Sequence, residues 1–185
     1  MVQLPNPGDL LIAPPMIPDR RFAKAVMLVT TDTKGSTFAL AVNRPTNHTL
    51  QDIVTDTGLE TNLNFPLYWG GPVNMSTVWM LHSSEWATEA TVSINDYWSL
   101  TSNIEMFAHL ADGDCPEQFR LMLGYAGWAP GQLKAEMRGL PPWNHNHSWL
   151  VAESPSPGWL FEQPVEDVWL NSMDLSSHQA IDAWL

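Results

Sequence analysis

Apolar positions along this chain fall into short runs broken by turn residues, in the manner of a meandering sheet. Residues 9–13, with Leu10-Leu11-Ile12 at their centre, predict a short strand closed by Pro14-Pro15. Residues 25–31 and 37–42 predict two more strands paired around Asp32-Thr33-Lys34-Gly35, the start of an antiparallel sheet. Residues 67–69, 77–82, 91–94, 98–101 and 148–153 continue the series, and residues 118–126 are apolar enough for a buried central strand.

Helical spacing is interspersed irregularly. Thr49 can cap a short helix through about Val54. Ser102 and Glu105 match the capping box, in which each side chain satisfies the other's backbone N–H, and predict a helix to about Ala111, stopped by Asp112-Gly113-Asp114. Pro130 suits the first turn of a helix ending near Gly139, and residues 164–173 read as another. Ser177 is expected to cap a last helix over 177–185 whose Ala180, Ile181, Trp184 and Leu185 share one face. Short strands with scattered helices predict an α+β fold in one domain, residues 1–185, rather than a regular βαβ array.

Composition narrows the function. Hydrophobic residues make up 44% of 185, so the chain can build one core. The net charge is -12 because Lys and Arg total only eight. So few cations cannot neutralise many phosphates, which argues against direct nucleic-acid binding, and the same charge repels anionic lipid. No run approaches the 18 or so apolar residues of a spanning helix, and the N-terminus lacks the basic region of a signal peptide. A cytoplasmic protein is expected. Cys115 is the only cysteine, which excludes an internal disulfide.

The most specified stretch is Gly124-Tyr125-Ala126-Gly127-Trp128-Ala129-Pro130-Gly131-Gln132-Leu133, where three glycines and a proline fall within eight residues and force a tight, close-packed bend. With Leu67-Tyr68-Trp69-Gly70-Gly71-Pro72-Val73, Ala41-Val42-Asn43-Arg44-Pro45 and Gly8-Asp9-Leu10-Leu11-Ile12-Ala13-Pro14-Pro15, it resembles the YqgE/AlgH family, small bacterial proteins of unsettled biochemical role. The resemblance extends through Asp19, Arg21-Phe22 and Val26 to Phe161 and Trp169. It implies a compact α+β fold of coiled, mostly antiparallel sheet flanked by helices, and a regulator without established catalytic residues. The chain departs from the pattern at Ser36-Thr37-Phe38-Ala39 and at Lys134, where an acid is usual, and carries an extra loop at 139–147.

Candidate chemistry is sparse. His145 and His147, two apart on an extended segment, would point to the same side as weak candidates for a metal, but two ligands do not make a site. Cys115 stands among Asp112, Asp114 and Glu117, which keep a thiol protonated. No nucleophile elbow, P-loop or dinucleotide fingerprint occurs, and no cofactor is expected. The glycines at 70, 71, 127 and 131 serve close packing, or with Arg44, Trp128, Gln132 and Glu136 they frame a ligand site in which a helix starting at Pro130 offers the N–H groups of Gly131 and Gln132 to an anion. The expectation is a non-catalytic binding or regulatory module acting through a small ligand or a protein partner, with self-association through the C-terminal helix as one route. The alternative is an enzyme with a small anionic substrate at the bend over 124–132, using Arg44 and Glu136 or a histidine.

Overall fold

A computed structural model describes residues 4–33, 36–54 and 63–183. Ten strands and five α-helices follow in the order β1 (Leu10–Ile12), β2 (Val26–Thr33), β3 (Ser36–Ala41), β4 (Pro45–Thr49), α1 (Leu50–Val54), β5 (Pro66–Trp69), β6 (Val73–Ser83), β7 (Thr91–Ser93), β8 (Trp98–Thr101), α2 (Glu105–Ala111), β9 (Phe119–Trp128), α3 (Gln132–Met137), β10 (Leu150–Ala152), α4 (Pro157–Phe161) and α5 (Val168–Asp182). The strands form one curled sheet in the order β10-β1-β2-β3-β9-β6-β8-β7. All pairings along that path are antiparallel, whereas β5, which also pairs with β4, runs parallel to β9. The expected α+β fold of curled, mostly antiparallel sheet is the observed one.

Continuous apolar runs become strands here because both faces of the sheet are covered. Leu10, Ile12, Leu28, Leu40, Leu81 and Met122 pack on one side with Trp98 and with Leu160 and Val168 from α4 and α5. Their neighbours Leu11, Met27, Val29, Ala39 and Ala126 point the opposite way and meet Leu133 and Met137 of α3. A third cluster, Leu67, Met80 and Leu121, is closed by Leu50 and Val54 of α1 and Met106 and Leu110 of α2.

Gly70 and Gly71 lie where the β5–β6 connection crosses β9. The Gly70 N–H donates to Leu123 O (2.7 Å), the Ala41 N–H donates to Gly70 O (2.8 Å), and Gly124 turns with φ 68° directly opposite. A side chain on Gly71 would overlap the Tyr125 carbonyl carbon and the Ala126 nitrogen, and one on Gly124 would overlap Gly71 O. Packing accounts for these three glycines.

Outside the Gly-rich bend, two expectations about helices fail. The capping box is not made, because the Ser102 hydroxyl donates to Val78 O (3.0 Å) across the sheet edge, and Asn103 Oδ1 accepts from the Met106 N–H (3.1 Å) instead. The two expected C-terminal helices are one, α5, in which Ser177 Oγ bonds back to Met173 O (2.9 Å) within the helix rather than capping it. The helix lies along the free edge of β10, with Ser176 Oγ donating to Val151 O (2.6 Å) and the Glu153 N–H donating to Gln179 Oε1 (2.8 Å). Ala180 and Ile181 face solvent, and Trp184 and Leu185 fall outside the described residues. Among the described residues no helix is long and apolar enough to cross a membrane.

Candidate functional site

The Gly-rich bend opens a cleft of about 310 Å³ between the end of β9, helix α3, the turn after β1 and the segment before β10. Its walls are aromatic: Phe22, Trp128, Trp143 and Trp149 line it, with Gln132 and Glu136 from α3 and Asp19, Arg21 and His147 beside them.

Helix α3 enters this cleft through chemistry that the sequence states in two letters. Pro130 and Gly131 are the central residues of a type II turn, with Gly131 at φ 77°, ψ -8° and the Gln132 N–H donating to Ala129 O (2.9 Å). The helix therefore begins at Gln132, not Pro130, and spans six residues. The Gln132 N–H expected to hold an anion is already bonded, and Gln132 Oε1 accepts from the Ala129 N–H (3.0 Å). Gly131 is a turn residue outside the cleft lining. Of the two N–H groups expected to hold an anion at this helix start, that of Gln132 is therefore engaged within the turn.

Glu136 is 8% exposed and receives three neutral donors. Its Oε2 accepts the indole N–H of Trp128 (3.0 Å) and of Trp149 (3.2 Å), and its Oε1 accepts Gln132 Nε2 (2.9 Å). One carboxylate thus pins two rings edge to face, their centroids 5.7 Å apart at 89°. Phe22 stacks edge-on against Trp149 (5.7 Å, 78°) and tilts against Trp69 (5.7 Å). At the mouth, Arg21 grips Asp19 by a fork of hydrogen bonds, Nε to Oδ1 at 3.1 Å and an NH2 contact to Oδ2 at 2.7 Å. That hydrogen bonding holds Asp19 below the usual carboxylate range, and the nearby His147 adds to the effect.

The structure brings Gly127, Trp128, Gln132 and Glu136 together and leaves the other candidates elsewhere. Gly70 and Gly71 are sealed against β9. Arg44 lies behind the wall, donating to the carbonyls of Arg21 and Ala23 and so fastening the turn that carries Phe22. Its burial pushes the guanidinium pKa down and leaves Nε without an acceptor. His145 and His147 sit on a 3₁₀ turn, not an extended segment, so residues two apart diverge. His145 packs at Gly139, while His147 faces the cleft with Nδ1 at 3.1 Å from Asn144 Oδ1. Among the described residues no group of three metal-ligating side chains is assembled. Asp19, Arg21, Phe22 and Trp149 were not read as site residues; the Asp-x-Arg spacing, the place of Asp19 and Arg21-Phe22 in the family resemblance, and a Trp two places after His147 are signals that point to them.

A second titratable cluster is structural. His82 is wholly buried, and its Nδ1 must donate to Ser83 O (2.8 Å), since a carbonyl can only accept. Nε2 then accepts from the Thr101 hydroxyl (2.9 Å), which receives the Thr91 hydroxyl (2.7 Å), so the chain ties β6, β8 and β7 together. Burial holds the imidazole pKa below 6.5, so between that value and the depressed one the unfolded chain binds a proton that the fold refuses. Stability contributed by neutral His82 is whole above about pH 6.5 and falls as pH drops below it. Melting curves from about pH 7.5 to 5.5 should show this decline, and His82→Gln should flatten it; an equal slope in the variant would assign the decline to other groups.

Comparison with known proteins gives a consistent picture. A family model described as AlgH-like matches residues 10–180. A UPF0301 protein of Nitrosospira multiformis is 31% identical over 161 residues, covering 85% of this chain and 82% of its own. Another, from Rhizorhabdus wittichii, is 33% identical over 171 residues, covering 90% and 87%. The solution structure of the AlgH protein from Pseudomonas aeruginosa superposes with a TM-score of 0.75 at 25% identity, over 95% of this chain and 92% of that one. A crystal structure from Corynebacterium diphtheriae shares the fold at a TM-score of 0.65 and 20% identity, over 93% and 94%.

Proposed function

We propose that this chain, which belongs to the AlgH-like family, is a non-catalytic binding protein that takes a small ligand with a flat apolar face into the aromatic cleft. The observation that supports this most is the engagement of Glu136 by three N–H donors from the cleft wall. A buried carboxylate that accepts two indole N–H groups and one amide N–H fixes the positions of the rings around it. Arg21 is likewise engaged by Asp19, and His147 by Asn144. Rings held rigidly before the ligand arrives reduce the ordering cost of binding. The alternative of an enzyme acting on a small anion draws only on Arg21 and His147 at the mouth, and both already have partners. Self-association through α5 has less behind it, because its exposed Leu170 and Ile181 share a stripe with Asp174 and Ser177.

A thermal-shift screen of small metabolites tests the proposal, with Trp143→Ala as the site variant. Trp143 lines the cleft and is partly buried, so the substitution should cost about 1 to 3 kcal/mol of stability, and against each protein's own ligand-free melting temperature a true cleft ligand should bind about tenfold more weakly. Ligands that bind Trp143→Ala as tightly as the parent, or a steady chemical turnover of any of them, would sink it.

A further inference from the structure

Arg120 is a cation buried in the core without an ion-pair partner among the described residues. It stands on β9, 6% exposed, and no carboxylate lies within 4 Å of its guanidinium among the described residues. Two of its N–H groups donate to backbone carbonyls, NH1 to Val42 O and NH2 to Phe161 O (3.4 Å). Its Cζ lies over the Phe161 ring at 4.5 Å and over the Tyr68 ring at 4.8 Å. The remaining N–H groups meet no acceptor among the described residues. Desolvation accordingly pushes its pKa down.

An arginine placed this way also borders open space. A separate cleft of about 210 Å³ is lined by Arg120 and Gln118 and walled by Phe65, Tyr68, Phe119 and Phe161. The neighbouring acid Glu162 accepts from Gln118 Nε2 (2.9 Å) and leaves the guanidinium uncompensated. Two rings already cover the guanidinium face, so further attraction runs along its N–H bonds, the direction from which a carboxylate pairs in a fork.

We infer that the Arg120 cleft binds a small aromatic carboxylate, the acid group on the guanidinium and the ring among Phe65, Phe119 and Phe161. The cleft is smaller than the roughly 300 to 1,000 Å³ of sites for drug-sized ligands, which limits the occupant to about one ring. Burial raises the strength of the ion pair, and the pair removes the cost of an isolated core charge. This inference is independent of the Trp128 and Trp149 cleft.

Benzoate is the probe, titrated against chloride at constant ionic strength. At a hundredfold excess over its dissociation constant it should raise the melting temperature by about 5 to 10 °C. Cyclohexanecarboxylate, equal in charge without the flat ring, should bind about two- to tenfold more weakly. Arg120→Met should abolish the shift, and Arg120→Lys should weaken binding about tenfold, because an ammonium cannot form the fork. In the unmodified protein, benzoate should move the Arg120 Nε–H and Gln118 side-chain amide resonances saturably, a reading that survives if both variants fold poorly. The inference is overturned by a benzoate shift that persists in Arg120→Met, by no saturable perturbation at Arg120, or by phosphate binding as well as benzoate. Trp143→Ala should bind benzoate as the parent does, which separates failure here from failure of the proposed function.

Discussion

Gly71→Ala is expected to lower the melting temperature by about 6 to 20 °C, the equivalent of roughly 3 to 5 kcal/mol in a domain of this length. The new methyl would overlap the Tyr125 carbonyl carbon and the Ala126 nitrogen. Those atoms belong to the backbone of β9, which is held by β3 and β6 on its two sides, so the clash cannot be relieved by a side-chain rotation. Gly127→Ala is the control, since a Cβ there meets Tyr125 and Phe38 only at 3.4 to 3.6 Å, ordinary contact. It should change stability by less than about 1 kcal/mol. Equal melting temperatures for the two variants would show that the crossing of the β5–β6 connection over β9 can open, and the packing account of the glycine motifs would fall with it.

Glu136→Leu should cost about 2 to 6 kcal/mol, because two buried indole N–H groups lose their acceptor and each such loss costs roughly 1 to 3 kcal/mol. Glu136→Gln retains one acceptor oxygen and should cost less, in the range of about 1 to 2 kcal/mol. Chemical denaturation gives the stability of both. Tryptophan emission should report the same event, since Trp128 and Trp149 are the residues released. A leucine variant as stable as the parent, with unchanged emission, would mean that the rings are fixed by packing alone, and the rigid cleft would lose its pin.

Much of the fold is written plainly in the chain. Strands such as β8 and β9 follow from apolar runs between turn residues, and the pairing of β2 with β3 follows from the two runs flanking Asp32-Thr33-Lys34-Gly35, of which Lys34 and Gly35 lie outside the described residues. What failed was local polar chemistry under tertiary competition. Ser102 carries a capping sequence, but its hydroxyl donates to the strand carbonyl of Val78 instead. Pro130-Gly131 states a type II turn as clearly as a helix start, and only the positive φ of Gly131 decides between them. The cleft was half visible. Gly127, Trp128, Gln132 and Glu136 lie within ten residues of one another and were found together, whereas Phe22 and Trp149 arrive from distant segments by sheet topology. Arg120 gave no signal, because a cation within an apolar strand becomes conspicuous only when no carboxylate among the described residues proves to lie within 4 Å of it.

The pairing of β1 with β10, Leu10 against Ala152, has a consequence for the newborn chain. Strand β1 can join β2 as soon as both have emerged, but its other edge lacks β10 until residue 152 has been translated. At about 5 to 20 residues per second, that edge stays bare for roughly seven to thirty seconds. Leu10-Leu11-Ile12 is then an apolar strand template in a crowded cytosol or reaction mix, open to other copies of itself. Yield of native protein should therefore depend on how fast residue 152 is reached, and slowing the ribosome between β9 and β10 should cost more product than slowing it anywhere after α4.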